Sequence, residues 1–149
     1  MKLEEEIKQS KFRNEYHKLA VNIFYTYSWL LNLQTQLFKK FKITSNQYNI
    51  LRILRGQHPN PATINLLKDR MIDKMSDASR LVERLRKKGL VKRELCKNDR
   101  RRVDVVITDK GLKLLSDIDK LNDEYDSFFK NLSVTESKTL NDLLDKLRG

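Results

Sequence analysis

Asp73-Lys74-Met75-Ser76-Asp77-Ala78-Ser79-Arg80-Leu81-Val82-Glu83-Arg84-Leu85-Arg86-Lys87-Lys88-Gly89 is the stretch on which the fold turns. Ala78, Leu81, Val82 and Leu85 fall at i, i+3, i+4 and i+7, which predicts a helix with one narrow apolar stripe. The rest of its surface is polar and largely cationic. Asp73 is the expected N-cap, and Gly89 suits the left-handed position that closes a helix. Leu90-Val91-Lys92-Arg93-Glu94-Leu95 and Val103-Asp104-Val105-Val106-Ile107-Thr108 then read as two strands around the charged tip Lys97-Asn98-Asp99-Arg100-Arg101-Arg102. A small helix followed by a basic-tipped hairpin has the dimensions to enter DNA grooves.

Upstream, Thr44-Ser45-Asn46-Gln47 is a capping box that opens a helix running to about Arg55, with Gly56 expected to end it. Gln57-His58-Pro59-Asn60-Pro61 is a loop, and Pro61 suits the first position of a third helix reaching Arg70. Two short helices joined by a tight turn make a helix-turn-helix whose second member reads DNA. Before them, residues 2–41 carry apolar side chains at alternating three- and four-residue steps from Tyr16 onward, the pattern of one long helix. Downstream, a fifth helix is expected from Thr108 to about Lys130. Ser133-Val134-Thr135-Glu136 is a second capping box, opening a last helix with Leu140, Leu143, Leu144 and Leu147 on one face.

Composition narrows the function. Four glycines and two prolines in 149 residues argue for a mainly helical chain with few turns. Hydrophobic residues make up only 39%, a modest supply for such long helices, so a second copy of the chain is expected to complete the core. Between Lys68 and Arg102 there are 14 Lys/Arg against 6 Asp/Glu, a surplus of eight out of a net charge of +11 for the whole chain. Charge that concentrated points to a polyanion, nucleic acid ahead of a membrane surface.

One cysteine, Cys96, rules out an internal disulfide. No apolar run reaches the roughly 20 residues that span a bilayer, and Met1-Lys2-Leu3-Glu4-Glu5-Glu6 lacks the order of a signal peptide. A cytoplasmic, reduced protein is expected. His17 and His58 lie on separate elements without an acidic or cysteine cluster at ligand spacing, and there is no Gly-rich loop. No catalytic residue, metal ligand or cofactor is therefore assigned, and the chain is not read as an enzyme.

Three stretches in combination resemble the MarR family of bacterial transcription regulators. Ser79-Arg80-Leu81-Val82-Glu83-Arg84-Leu85 followed by Lys88-Gly89-Leu90-Val91 resembles its recognition helix and exit. Asp99-Arg100-Arg101 resembles its wing motif. Ile107-Thr108-Asp109-Lys110-Gly111 resembles the Leu-Thr-x-x-Gly that closes the wing, with Ile107 in place of Leu. The resemblance implies a winged helix-turn-helix of six helices and a short β-hairpin wing. It divides the chain into an N-terminal dimerisation helix (1–41), a DNA-binding domain (44–110) and C-terminal dimerisation helices (111–149). It implies a homodimer on a pseudo-palindromic operator, often a repressor released by a small phenolic or anionic ligand. The competing expectation is an architectural winged-helix DNA binder, or a protein-interaction module without regulation.

Lys74, Ser76, Asp77, Ser79, Arg80 and Arg84 are the candidate contacts of the recognition helix, with Ser and Arg able to read base edges. Asp77 either accepts from a cytosine amino group, orients Arg80, or is a solvated residue at the helix start. In the wing, Arg101 is the candidate for the minor groove. By resemblance, Asp99 holds Arg101 through a salt bridge. Lys92, Lys97, Arg100 and Arg102 are expected on phosphates, fixing register without reading sequence. Tyr16, Phe24, Tyr27 and Trp29 are candidates for a ligand pocket, weighed against core packing. Cys96, near Arg93 and Lys97, is weighed as a redox sensor against an incidental small residue. The peroxide-sensing branch of the family places its cysteine near the N-terminus, where this chain has none.

Overall fold

The helices of eight residues or more each start on a side-chain oxygen that accepts a backbone N–H, so the polar punctuation of the sequence sets most boundaries. A computed structural model describes residues 1–96 and 98–149. Among these are eight helices and three strands, in the order α1 (Leu3–Glu6), α2 (Glu15–Lys39), α3 (Ser45–Gln57), β1 (Ala62–Thr63), α4 (Ile64–Arg70), α5 (Ala78–Lys87), β2 (Val91–Cys96), β3 (Asp99–Ile107), α6 (Asp109–Asp119), α7 (Asn122–Ser127) and α8 (Val134–Arg148). The caps are Asn14, Thr44, Asp77, Thr108 and Ser133, and those at Thr44 and Ser133 are full capping boxes.

One core holds the winged unit together. Ile50, Leu51 and Leu54 of α3, Leu67 of α4, and Ala78, Val82 and Leu85 of α5 are buried together with Val91, Val105, Leu115 and Ile118. The apolar stripe of α5 is thus its inward face, with Leu81 half-buried at the margin. The sheet runs β1-β3-β2 and is antiparallel throughout, with Ala62 opposite Val105 and Val91 opposite Ile107. Arg55 of α3 donates twice to Asp119 of α6, at 2.7 and 3.3 Å, and so ties α6 to the same unit.

The root of the wing is closely fitted. Gly89 has φ +74, a conformation that other residues adopt only with strain. The Thr108 hydroxyl donates to the Gly89 carbonyl at 2.7 Å, and the Thr108 N–H donates to Leu90 at 3.1 Å. The Lys110 ammonium donates to the Lys88 carbonyl at 2.9 Å. A Cβ at Gly111 would stand 2.4 Å from the Leu90 carbonyl oxygen, so only glycine lets α6 start this close to the strand.

Several boundaries differ from those the sequence suggests. Residues 2–41 are not one helix. Lys8 adopts φ 52, Asn14 caps α2 by accepting from the His17 N–H, and α1 folds back so that Leu3 is buried. Glu4 pairs with Lys18, and Tyr25 donates to Glu6 at 2.6 Å, which hold the fold-back in place. Gly56 does not end α3. The helix runs on to Gln57 and stops because Pro59 drives His58 into an extended conformation. Pro61 does not begin the next helix. Ala62 and Thr63 pair with β3, and Thr63 then caps α4.

Asp73 is not the cap of α5. Asp77 is, four residues later. The expected helix to Lys130 divides at Lys120–Leu121, where the last turn tightens and the Leu121 N–H donates to Ile118. Eight helices therefore stand where six were expected. Helix α8 buries none of its residues, and Leu140, Leu143 and Leu147 are exposed along it.

Candidate nucleic-acid interface

Burial of Ala78, Val82 and Leu85 forces the opposite side of α5 outward. Ser79, Arg80, Arg84 and Lys87 are all exposed there. Glu83, at the edge nearer the wing, takes a bidentate pair from Arg86 at 2.8 and 2.9 Å and a further contact from Arg93 of β2 at 3.3 Å. These guanidinium groups, Arg86 first, hold its carboxylate down to about 2. Glu83 therefore stays ionised and braces α5 against the wing.

The wing carries its charge on exposed positions. Arg100 and Arg101 are exposed near the tip, and Lys92 is exposed on β2. Asp99 does hold the Arg101 segment, but not by the expected salt bridge: its Oδ1 accepts the backbone N–H of Arg101 at 2.9 Å. That contact fixes the turn and leaves the Arg101 guanidinium without an acidic partner among the described residues. Arg102 is tethered by its Nε to Asp104 at 3.0 Å. Lys97 lies outside the described residues.

The wing and the helix-turn-helix face each other across an open polar groove of about 480 Å³. Ser79 of α5, Thr63 and Asn65 at the start of α4, and Arg93, Arg101 and Arg102 of the wing line it. Sequence reasoning missed Thr63, Asn65 and Arg93. Their signal was weak, because they reach the groove only through the two-residue strand β1 and the register of β2 on β3.

Three residues expected on the recognition helix do other work. Lys74 lies before α5, and its ammonium donates to the carbonyl oxygens of Asp69 (2.5 Å) and Lys68 (3.5 Å), so it caps the end of α4. Ser76 also precedes α5, half-buried, with its hydroxyl bonded to Asp73 and Asn46. Asp77 is the cap itself, accepting from the Arg80 N–H at 3.0 Å. Ser79, Arg80 and Arg84 remain as the exposed set on the helix.

A second cleft, of about 460 Å³, lies between α2 and the winged unit. Tyr27, Leu31 and Gln34 wall it from α2, and Tyr48, Arg52 and Arg70 are among the residues facing them. Arg52 donates to the Tyr48 hydroxyl at 2.9 Å while lying over its ring. The Ser45 hydroxyl also lines this cleft and is buried without a hydrogen-bond partner among the described residues. Of the four aromatic side chains expected in a pocket, only Tyr27 borders the cleft. Tyr16, Phe24 and Trp29 are exposed on α2, away from it, and are not buried in the core either.

No described helix is long and apolar enough to cross a membrane, and no group of three or more metal-ligating side chains gathers among the described residues. Cys96 is half-buried at the end of β2.

Comparison with known proteins places these features together. The model of the MarR family matches residues 43–103, which run from just before α3 into β3 of the wing. The HTH-type transcriptional regulator MgrA of Staphylococcus aureus is 30% identical over 112 residues, 75% of this chain and 74% of its own length. A mutant MarR from E. coli, solved in complex with operator DNA, superposes with a TM-score of 0.80 at 26% identity, covering 93% of this chain and 99% of that one. The organohalide-sensing regulator RdhR in its 2,4-dichlorophenol-bound form shares the fold, with a TM-score of 0.84 at 20% identity over 94% of this chain and 85% of its own.

Proposed function

The chain belongs to the MarR family of transcription regulators, and we propose that it is a sequence-specific, ligand-responsive repressor that binds a pseudo-palindromic operator as a homodimer. One observation carries this reading. Ser79 on the exposed face of α5 and Arg101 of the wing, whose guanidinium has no acidic partner among the described residues, border the same groove. A duplex seated there meets Ser79, Arg80 and Arg84 in its major groove and Arg101 in the adjacent minor groove. Lys92 and Arg100 take phosphates, supplying affinity without sequence information. Asp77 uses its Oδ1 for the cap, which assigns it to the helix start rather than to base reading in this proposal.

The exposed apolar faces of α2 and α8 supply the dimer contact, with residues 1–41 and 111–149 contributing from each copy. One recognition helix covers a half-site, so two copies read a site with dyad symmetry. The cleft beside Tyr27 is the effector site. Arg52 and Arg70 suit an anionic group, and Tyr27, Tyr48 and Ile53 suit an aromatic ring. The operator-bound MarR and the dichlorophenol-bound RdhR support both halves of the reading by analogy.

Selection of bound sites from random DNA tests it. The expected product is a palindrome with half-sites about one helical turn apart. A featureless product overturns the regulator in favour of an architectural DNA binder. On the selected site, Arg101→Ala is expected to cost about 1–3 kcal/mol of binding. Lys92→Ala should weaken all sequences alike and lower the salt slope by about one. Unchanged affinity for Arg101→Ala on the selected site would sink the wing assignment.

A further inference from the structure

The segment that delivers the chain into α5 is held by polar contacts rather than by packing. Met71 before it and Ala78 after it are buried, but Ile72 and Met75 between them are 85% and 94% exposed. Apolar burial therefore fixes the two ends of the segment and leaves its middle free to pivot.

Hydrogen bonds close that freedom. Asp73 Oδ1 accepts the Met75 N–H at 3.0 Å, and its Oδ2 accepts both the Ser76 hydroxyl at 2.5 Å and Asn46 Nδ2 at 3.1 Å. Asn46 Nδ2 also donates to the Ser76 hydroxyl at 2.7 Å, which completes a triangle. The two oxygens lie too close together, seen from Asn46 Nδ2, to take one amide hydrogen each, so they share one N–H, and the Ser76 hydroxyl gives one hydrogen and receives one. One helical turn further along α3, Asn49 accepts the Ile72 N–H at 2.9 Å. Thus α3 holds the turn at two points, from residues more than twenty positions away in sequence.

We propose that Asn46, Asp73 and Ser76 form a clasp of positioning residues that sets where α5 begins, and so how Ser79, Arg80 and Arg84 are presented to base edges. This rests on the reading of α5 as the DNA-reading helix. Ser76 acts through Asp73 and Asn46 and touches no base. The contacts that hold the clasp also keep the Asp73 carboxyl below its usual range, the Ser76 hydroxyl contributing most and the Met75 N–H next. It therefore remains the anionic centre of the clasp at neutral pH. Asn46, Asn49 and Asp73 also line the cleft beside Tyr27, so a molecule entering that cleft meets the clasp directly.

Two measurements on the whole 149-residue chain test the clasp. The first is a double-mutant cycle of Asn46→Ala and Ser76→Ala, read as affinity for a duplex selected from a random library and for a scrambled duplex of the same length. Each variant should lose roughly fivefold to tenfold on the selected duplex. The double variant should lose little more, because both side chains act through one unit. Binding to the scrambled duplex and its salt slope should not change, because the phosphate contacts are untouched. Ser76→Thr, which keeps the hydroxyl, should restore the preference. Additive losses, or equal losses on both duplexes, overturn the clasp.

The second measurement is amide hydrogen exchange without DNA. Asn46→Ala should speed exchange at Met75 and leave Ile72, held by Asn49, as it was. Unchanged exchange at Met75 overturns the clasp. If the library yields no preferred duplex, the reading of α5 fails, and the exchange result alone then decides the clasp.

Discussion

Helices α5 and α8 are built alike and end differently. Both are amphipathic, and both begin on an oxygen-bearing cap, Asp77 in one and Ser133 in the other. Helix α5 buries Ala78, Val82 and Leu85 completely, whereas α8 leaves Leu140, Leu143 and Leu147 about half exposed. A helix's own pattern selects the face to be buried, but its neighbours decide whether burial happens. The winged unit contains those neighbours. Helix α8 presents the same kind of face with none of its residues buried, and this is the face that the proposed second copy would cover.

The contrast can be broken most forcefully at its apolar positions. Leu85→Ala should cost about 2–5 kcal/mol of stability at every protein concentration, read by denaturant unfolding. Leu143→Ala should cost less than about 0.5 kcal/mol in dilute protein. Its effect should instead appear as weakened self-association in sedimentation. Equal losses of stability in dilute protein would mean that α8 is packed within its own chain.

The caps give a smaller and sharper comparison. Thr44→Ala removes an N-cap from a helix of the core and should lower global stability by about 1 kcal/mol. Ser133→Ala removes the matching cap from α8. It should reduce helix content by circular dichroism without moving the unfolding midpoint of dilute protein. A common shift in both midpoints would join the two regions into one cooperative unit.

The smallest effect concerns the brace between α5 and the wing. The Glu83 carboxyl is held at about 2, below an ordinary value of 4.5. Because the folded value is depressed, the brace is at full strength above about pH 4.5 and is lost as the pH falls through 2. Side-chain NMR of Glu83 should show no protonation near pH 4.5. A midpoint there would mean that Arg86 and Arg93 do not engage it in solution.

The sequence exposed what local patterns encode. The stripe of α5, the turn at Gly89, the boxes at Thr44 and Ser133, and the β-branched run of β3 all depend on residues a few positions apart. So do Ser79, Arg80 and Arg84 as the outward face of α5. What could not be read depends on distant partners. Asp73 and Asp77 are both suitable caps by chemistry, but Asp73 is engaged by Asn46 of α3 together with Ser76 and Met75, and Asp77 caps α5. Lys74 looks like a DNA contact until the end of α4 is seen beneath its ammonium. The aromatic side chains of α2 showed the same limit. Tyr27 reaches the cleft because α3 supplies Tyr48 and Arg52 across from it, and no periodicity within α2 singles Tyr27 out.

The fitted root of the wing has a mechanical meaning. From Ile107 back to Arg101 the strand extends about 20 Å. The hairpin is a lever with its fulcrum at Gly89, Thr108 and Gly111, and an angular slack of about 5° there would swing Arg101 by roughly 2 Å, enough to make or miss a hydrogen bond. The hydroxyl of Thr108 and the missing side chain of Gly111 take up that slack. On the proposed reading, in which Arg101 enters the minor groove, its aim is set at the far end of the strand, by residues that need never approach the duplex.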